Sequence, residues 1–194
     1  MVYYGDELDR PRRRRDPGAA ARRREERRQW AASLTGDEAV AAAKDVALRF
    51  LDRQDRSVGQ CRDKLRERGF AEDAIEQALG RLVEIDVLND ERYARMLVRT
   101  RHRERGLVGR ALIEQLRQKK IPSEIIERAM TEVDDESGET IARDLVRRRL
   151  RSIGDVSREK QFRRLVSMLA RKGYPPSVSI GIVTSVLEEE QVDE

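Results

Sequence analysis

Arg92, Arg95, Arg99 and Arg103 recur at steps of three, four and four residues, and Arg143, Arg147 and Arg151 at steps of four. In a helix that spacing lines guanidinium groups along one face. A salt-bridged, solvated face would interleave glutamates at the same spacings, and here it mostly does not. The chemistry such a row offers is recognition. Each phosphate neutralised by an arginine releases a condensed counterion, so a polyanion binds with an affinity that falls steeply with salt. The competing reading is a solvated helix surface partly neutralised by acidic helices beside it.

Charge counted by segment sharpens the choice. The chain has 41 Lys and Arg against 37 Asp and Glu, a balance of +4. Residues 1–36 hold 10 bases and 6 acids, so the remainder balances at 31 of each sign. Within that neutral remainder, residues 92–120 carry ten bases against Glu104 and Glu114, and residues 143–172 carry eleven against Asp144, Asp155 and Glu159. Residues 121–136 instead carry Arg128 against six acids. The candidate electrostatic contacts to a nucleic acid or a protein partner are Arg92, Arg95, Arg99, Arg103, Arg110, Arg117, Lys119, Lys120, Arg147, Arg148, Arg163, Arg164, Arg171 and Lys172. Sequence-tolerant single-strand binders add stacking aromatics to such a track. In the helical body the aromatics are Phe50, Phe70, Tyr93, Phe162 and Tyr174, most of them on apolar stripes, so sequence-specific base readout is not supported.

Catalysis finds no foothold. One cysteine, Cys61, and one histidine, His102, cannot build a disulfide framework or a zinc cluster within the chain. There is no glycine-rich phosphate loop, no nucleophile paired with a histidine and no carboxylate cluster at metal spacing. The chain reads as a non-enzyme with no cofactor and no metal. No apolar run approaches the roughly 20 residues of a membrane span, so a cytoplasmic protein without membrane contact is expected, as a monomer.

The elements that must position the arginines come from a repeated phrase. "KLRERGFAEDAIEQALGRL" at 64–82 is echoed by "QLRQKKIPSEIIERAMTEV" at 115–133 and "MLARKGYPPSVSIGIVTSV" at 168–186. Cys61 and Leu65 correspond to Leu112 and Leu116, then to Leu165 and Leu169; Phe70, Ile121 and Tyr174 occupy the turn. Beyond it Ala74, Ala78, Leu79 and Leu82 match Ile125, Ala129, Met130 and Val133, then Val178, Ile182, Val183 and Val186. Steps of four, one and three describe a helical stripe. A first helix precedes each pair, with Ala47, Phe50 and Leu51 matching Ala94, Leu97 and Val98, then Ala142, Leu145 and Val146.

The pattern predicts an all-α fold, an elongated array of three tandem three-helix, helix-turn-helix-like repeats over 35–89, 90–136 and 137–194, the last with an acidic tail. Thr35 with Glu38 and Ser57 with Gln60 have the form of capping boxes. Gly69 and Gly173 stand where a helix ends in a left-handed residue, and Pro122 and Pro175 at the start of the next helix. Cys61 falls on the core stripe and His102, among arginines, is expected on the surface. Residues 1–34, with "RPRRRRDPGAAARRREERRQW", read as a disordered basic arm whose Ala-Arg-Glu part forms a transient helix. It serves either as non-specific attraction to phosphate or as a solubilising tail.

These residues resemble the RecX family of bacterial recombinase regulators. "LNDERYARMLVRTRHRERGLVGRALIEQLRQKKI" at 88–121 resembles the family's central unit, and "RSVGQCRDKLRERGF" at 56–70 and "RRLVSMLARKGY" at 163–174 resemble the flanking ones. The likeness covers roughly residues 37–190 and leaves out the basic arm. Asn89, Lys120 and Gln60-Cys61 depart from the family's pattern; Lys120 replaces a turn glycine, and a non-glycine left-handed residue costs about 1 kcal/mol or more. The resemblance implies a modulator, mainly an inhibitor, of the RecA recombinase. Such a protein binds the filament on single-stranded DNA, and non-specifically duplex DNA, and limits filament growth, ATP hydrolysis and strand exchange in DNA repair. The alternatives are a helix-turn-helix transcription regulator and a protein-only helical scaffold.

Overall fold

In the computed structural model of the chain, residues 17–131, 135–154 and 156–192 are described. They form ten helices: α1 (Pro17–Ser33), α2 (Gly36–Leu51), α3 (Val58–Arg68), α4 (Glu72–Glu84), α5 (Asp90–Arg105), α6 (Gly109–Gln118), α7 (Ser123–Met130), α8 (Asp135–Ile153), α9 (Arg158–Arg171) and α10 (Pro176–Val192). Among the described residues there is no strand.

Three separate apolar cores explain the grouping. Helices α2, α3 and α4 close over Val40, Ala43, Leu65, Ile75, Leu79 and Leu82. Helices α5, α6 and α7 enclose Ala94, Val98, Leu112, Leu116 and Ile126. Helices α8, α9 and α10 enclose Ala142, Val146, Leu165, Leu169, Val183 and Val186. The paired leucines four apart on each second helix are buried, as the stripe required, and Cys61 is fully buried beside Leu65. Several stripe positions differ: Phe50, Leu51, Met130 and Leu145 are only partly buried, and Val133 lies outside the described residues. Ile126 rather than Ile125 is buried beside Ala129 in α7, and Val178 is exposed on α10, where fully buried Ser179 takes the inward place.

Helix ends follow local chemistry. Ser57 and Gln60 form the expected reciprocal capping box. Thr35 is the N-cap of α2, but its side chain makes no cap hydrogen bond. Gly69 ends α3 at φ 90°, Gly173 follows α9 at φ 97°, and Lys120 takes the same left-handed form at φ 59°. The turn geometry is thus kept although the glycine is not. Pro122 is the N-cap of α7; Pro175 precedes α10, its carbonyl accepting from Ser179 N at 2.9 Å.

The basic arm departs most from the sequence reading. Residues 1–16 lie outside the described residues, but 17–33 form helix α1. Its body is polar and exposed, while its end is anchored. Ala31 is buried in the first core, and Trp30 meets Phe70 edge to face at 6.4 Å between centroids. Arg28 lies so close to the turn after α3 that a Cβ on Gly69 would stand 2.8 Å from its carbonyl oxygen. Apolar contact at one end fixes a helix whose composition alone would not hold it.

Candidate nucleic-acid and partner interface

The three-helix groups are joined by one recurring contact. The N-cap residue of one group's second helix bonds the C-cap carbonyl of the next group's second helix. Ser57 Oγ donates to Lys119 O, and Val108 N donates to Lys172 O at 2.9 Å. Such close approach needs a missing Cβ. At the first junction the space is Gly59, where a Cβ would meet Lys120 O at 2.7 Å; at the second it is Gly173, where a Cβ would overlap Val108 O. Around the first junction Val58 N donates to the buried Asp90 at 2.9 Å, and Lys120 Nζ pairs with Asp63. Burial raises the Asp90 carboxyl above its ordinary value, against the opposing pull of the Val58 bond.

At the second junction Lys172 Nζ donates to Arg105 O. Burial, and then the neighbouring Arg105 charge, lower its pKa. Gly106, at the end of α5, lies against Ile141 and Leu145 of α8. This packing overturns the expectation for His102, which is only 7% exposed. Its Nδ1 lies 3.2 Å from Leu107 O, with Gly138 of α8 alongside. Helix α8 covers the end of α5, a long-range contact that a run of arginines in the sequence does not announce.

The candidate cations divide into two classes. Arg92 is held by the Asp86 carboxylate and donates to Asp86 O at 2.9 Å; Asp86 itself has φ 57°, so Arg92 clamps a tight turn. Arg95 faces Glu91 at 3.9 Å and Arg163 pairs with Glu159. Arg147 bonds Glu189 at 2.9 Å, which, with Ser185, holds the Glu189 carboxyl below the usual range. Arg143 also reaches Glu189, at 3.3 Å. Arg143 and Arg147, two of the three arginines of the expected α8 row, are therefore neutralised by α10, because the two helices pack side by side within one core. Arg99 also has an interaction partner.

Arg103, Arg110, Arg117, Arg148 and Arg164 have no carboxylate partner among the described residues. The backbone contacts of the second junction bring together chain segments that carry four basic residues: Arg105, whose carbonyl Lys172 reaches, Arg110 next to Gly109, and Arg171 with Lys172 before Gly173. Arg171 donates to Ser167 Oγ at 2.7 Å. Lys119 contributes its carbonyl to the first junction. Among the described residues no group of three or more His, Cys, Asp or Glu could hold a metal ion, and no helix is long and apolar enough to cross a membrane.

Known proteins resemble this chain in sequence and fold. Residues 43–82 match a family model described as the first three-helix domain of RecX, and residues 89–130 one for the second three-helix domain. Proteins named regulatory protein RecX from Streptomyces lividans and Streptomyces coelicolor are each 40% identical over 156 residues, covering 80% of this chain and 83% of the relative. One from Amycolatopsis mediterranei is 38% identical over 158 residues, covering 81% and 90%. The crystal structure of RecX from Lactobacillus salivarius superposes with a TM-score of 0.67 over 76% of this chain and 96% of that one, at 23% identity. A second RecX structure gives 0.67 at 26% identity, over 74% and 72%. With three serial helical cores, glycine-mediated junctions between successive second helices and this identity over most of its length, the chain belongs to the RecX family of regulatory proteins.

Proposed function

We propose that the chain modulates, mainly by inhibition, the RecA recombinase, binding its filament on single-stranded DNA and limiting filament growth, ATP hydrolysis and strand exchange. Family membership supports the regulatory role. The observation that carries the mode of action is that the backbone contacts of the second junction bring together the chain at Arg105, Arg110, Arg171 and Lys172, while Arg103 of α5 and Arg117 of α6 lack carboxylate partners among the described residues. Like charges brought together by packing repel unless a polyanion neutralises them, so the junction favours a phosphate backbone. The action is steric and electrostatic, with the chain acting as a monomer in the cytoplasm during recombination and repair.

The test adds the full chain to recombinase on single-stranded DNA and follows ATP turnover. The unaltered chain slows turnover. Arg103→Glu/Arg110→Glu/Arg117→Glu, all exposed positions, relieves the slowing and flattens its salt dependence. Unchanged turnover with the unaltered chain rejects the reading; full slowing by the reversed variant rejects the α5–α6 surface as its site.

A further inference from the structure

Helix α1 lies outside both family models, yet it builds a groove with α3. The cavity between them, about 440 Å³, is lined by Arg24, Arg27 and Arg28 of α1 and Lys64 and Arg68 of α3. Arg24 and Arg28 are four apart on one helix, as are Lys64 and Arg68 on the other, so two cationic ridges face each other. Two carboxylates share the groove and are outnumbered by its five cations. Glu67 is bonded to Lys64 at 2.6 Å, and Glu25 accepts from the Gln29 amide at 3.1 Å. Among the described residues Arg24, Arg27, Arg28 and Arg68 make no ion pair. Lys64 first, then Arg68 and Arg24, hold the Glu67 carboxyl below its usual range, as cations lining the same groove should.

The groove does not end in charge. Arg27 and Arg68 also line the adjoining cavity of about 400 Å³, where Trp30 stands over Phe70. Trp30 is 52% exposed, and its edge-to-face contact with Phe70 fixes the indole's orientation. A polyanion track running into a rigid, half-open aromatic ring is the chemistry that holds single-stranded nucleic acid. Phosphates follow the cations and a base lies on the ring. Duplex, whose bases are already stacked, cannot use the ring.

We infer that the α1–α3 groove is a single-strand nucleic-acid site, with Arg24, Arg28 and Arg68 contacting phosphates and Trp30 stacking an unpaired base. Only the choice of ligand rests on the function proposed above; the site is separate from the α5–α6 surface. Arg28 also keeps the groove's width, because its backbone closes on Gly69.

Trp30 is the chain's one tryptophan, so its fluorescence reports this site alone. The full chain at low salt is titrated with an oligo-dT strand, with the corresponding duplex and with anionic-lipid vesicles. The strand is expected to quench the emission, with weaker quenching by duplex and by vesicles. In Arg24→Ala/Arg68→Ala, which removes two exposed or half-exposed cations, quenching needs more strand, and the log–log salt slope falls by about 1.4, at about 0.7 per phosphate contact. Trp30→Ala, followed by anisotropy of a labelled strand, binds about 5- to 150-fold more weakly. An unquenched tryptophan with strand demonstrably bound, an unchanged salt slope in the double variant, or equal quenching by vesicles would each overturn the assignment. Recombinase ATP turnover measured in parallel separates the two proposals. Slowing without quenching removes the groove and leaves the filament reading intact, whereas quenching without slowing supports the groove and rejects that reading.

Discussion

Gly173→Ala is the most telling perturbation of the array, because two independent effects meet at one methyl group. At φ 97° an alanine pays the left-handed penalty of about 1–2 kcal/mol. The added Cβ would also overlap Val108 O, stand 3.0 Å from the Val108 carbonyl carbon and 3.1 Å from Ala111 Cβ. Backbone cannot swing aside as a side-chain end can, so the second junction has to part. That loses the Val108 N to Lys172 O bond of 2.9 Å, worth about 1 kcal/mol net. The expected total is about 2–3 kcal/mol, or a fall in Tm of about 4–12 °C for a chain of this size. Gly154→Ala is the control. It carries the same class of backbone strain, at φ 74°, with nothing within 4 Å of its Cβ, and should lower Tm by only about 2–8 °C for a cost of about 1–2 kcal/mol. Thermal unfolding followed by circular dichroism reads both, and hydrogen exchange should show α8–α10 opening first in Gly173→Ala. If the two variants unfold together, the junction contact contributes nothing and the account of how the repeats are joined is wrong.

Other consequences are directly measurable. The Cys61 thiol is fully buried and pushed up to about 12, chiefly by burial and then by Asp90; at a pH near 8.5, where an ordinary thiol is about half ionised, it should react with a thiol reagent only as fast as the first repeat opens, and immediate labelling would contradict that core. Asp90, raised above 3.8 by burial, adds stability when protonated, at and below that value, and loses it as pH rises through its higher folded value. At neutral pH its ionised form is therefore a net cost relative to a free aspartate. Asp90→Asn, which still accepts from Val58 N, should unfold no earlier than the parent at neutral pH and flatten the stability–pH curve above 3.8; a clear loss of stability at neutral pH would show that the Val58 bond needs the charge.

How much of this was legible in the sequence depended on the range of the interaction concerned. Heptad-like spacing places Leu65, Leu116 and Leu169 inside their helices' partners without reference to anything distant, because a helix face is set by the backbone's own period. Capping at Ser57 and the left-handed turn at Gly69 are local in the same sense. The acidic run within 121–136 shows the limit, since the sign of a segment says nothing about what it faces.

The sequence by itself determined the three-fold repetition, the all-helical class and the second-helix leucines, since each follows from the order of neighbouring residues. Tertiary structure decided which cations were spent on carboxylates. Arg147 and Glu189 are 42 residues apart, and only the packing of α8 on α10 brings them within 2.9 Å. It decided equally that His102 is covered by α8, and that a polar helix with a single tryptophan docks on Gly69 instead of trailing away. Charge and burial belong to pairs of surfaces, and pairing between surfaces distant along the chain is fixed only when the cores close.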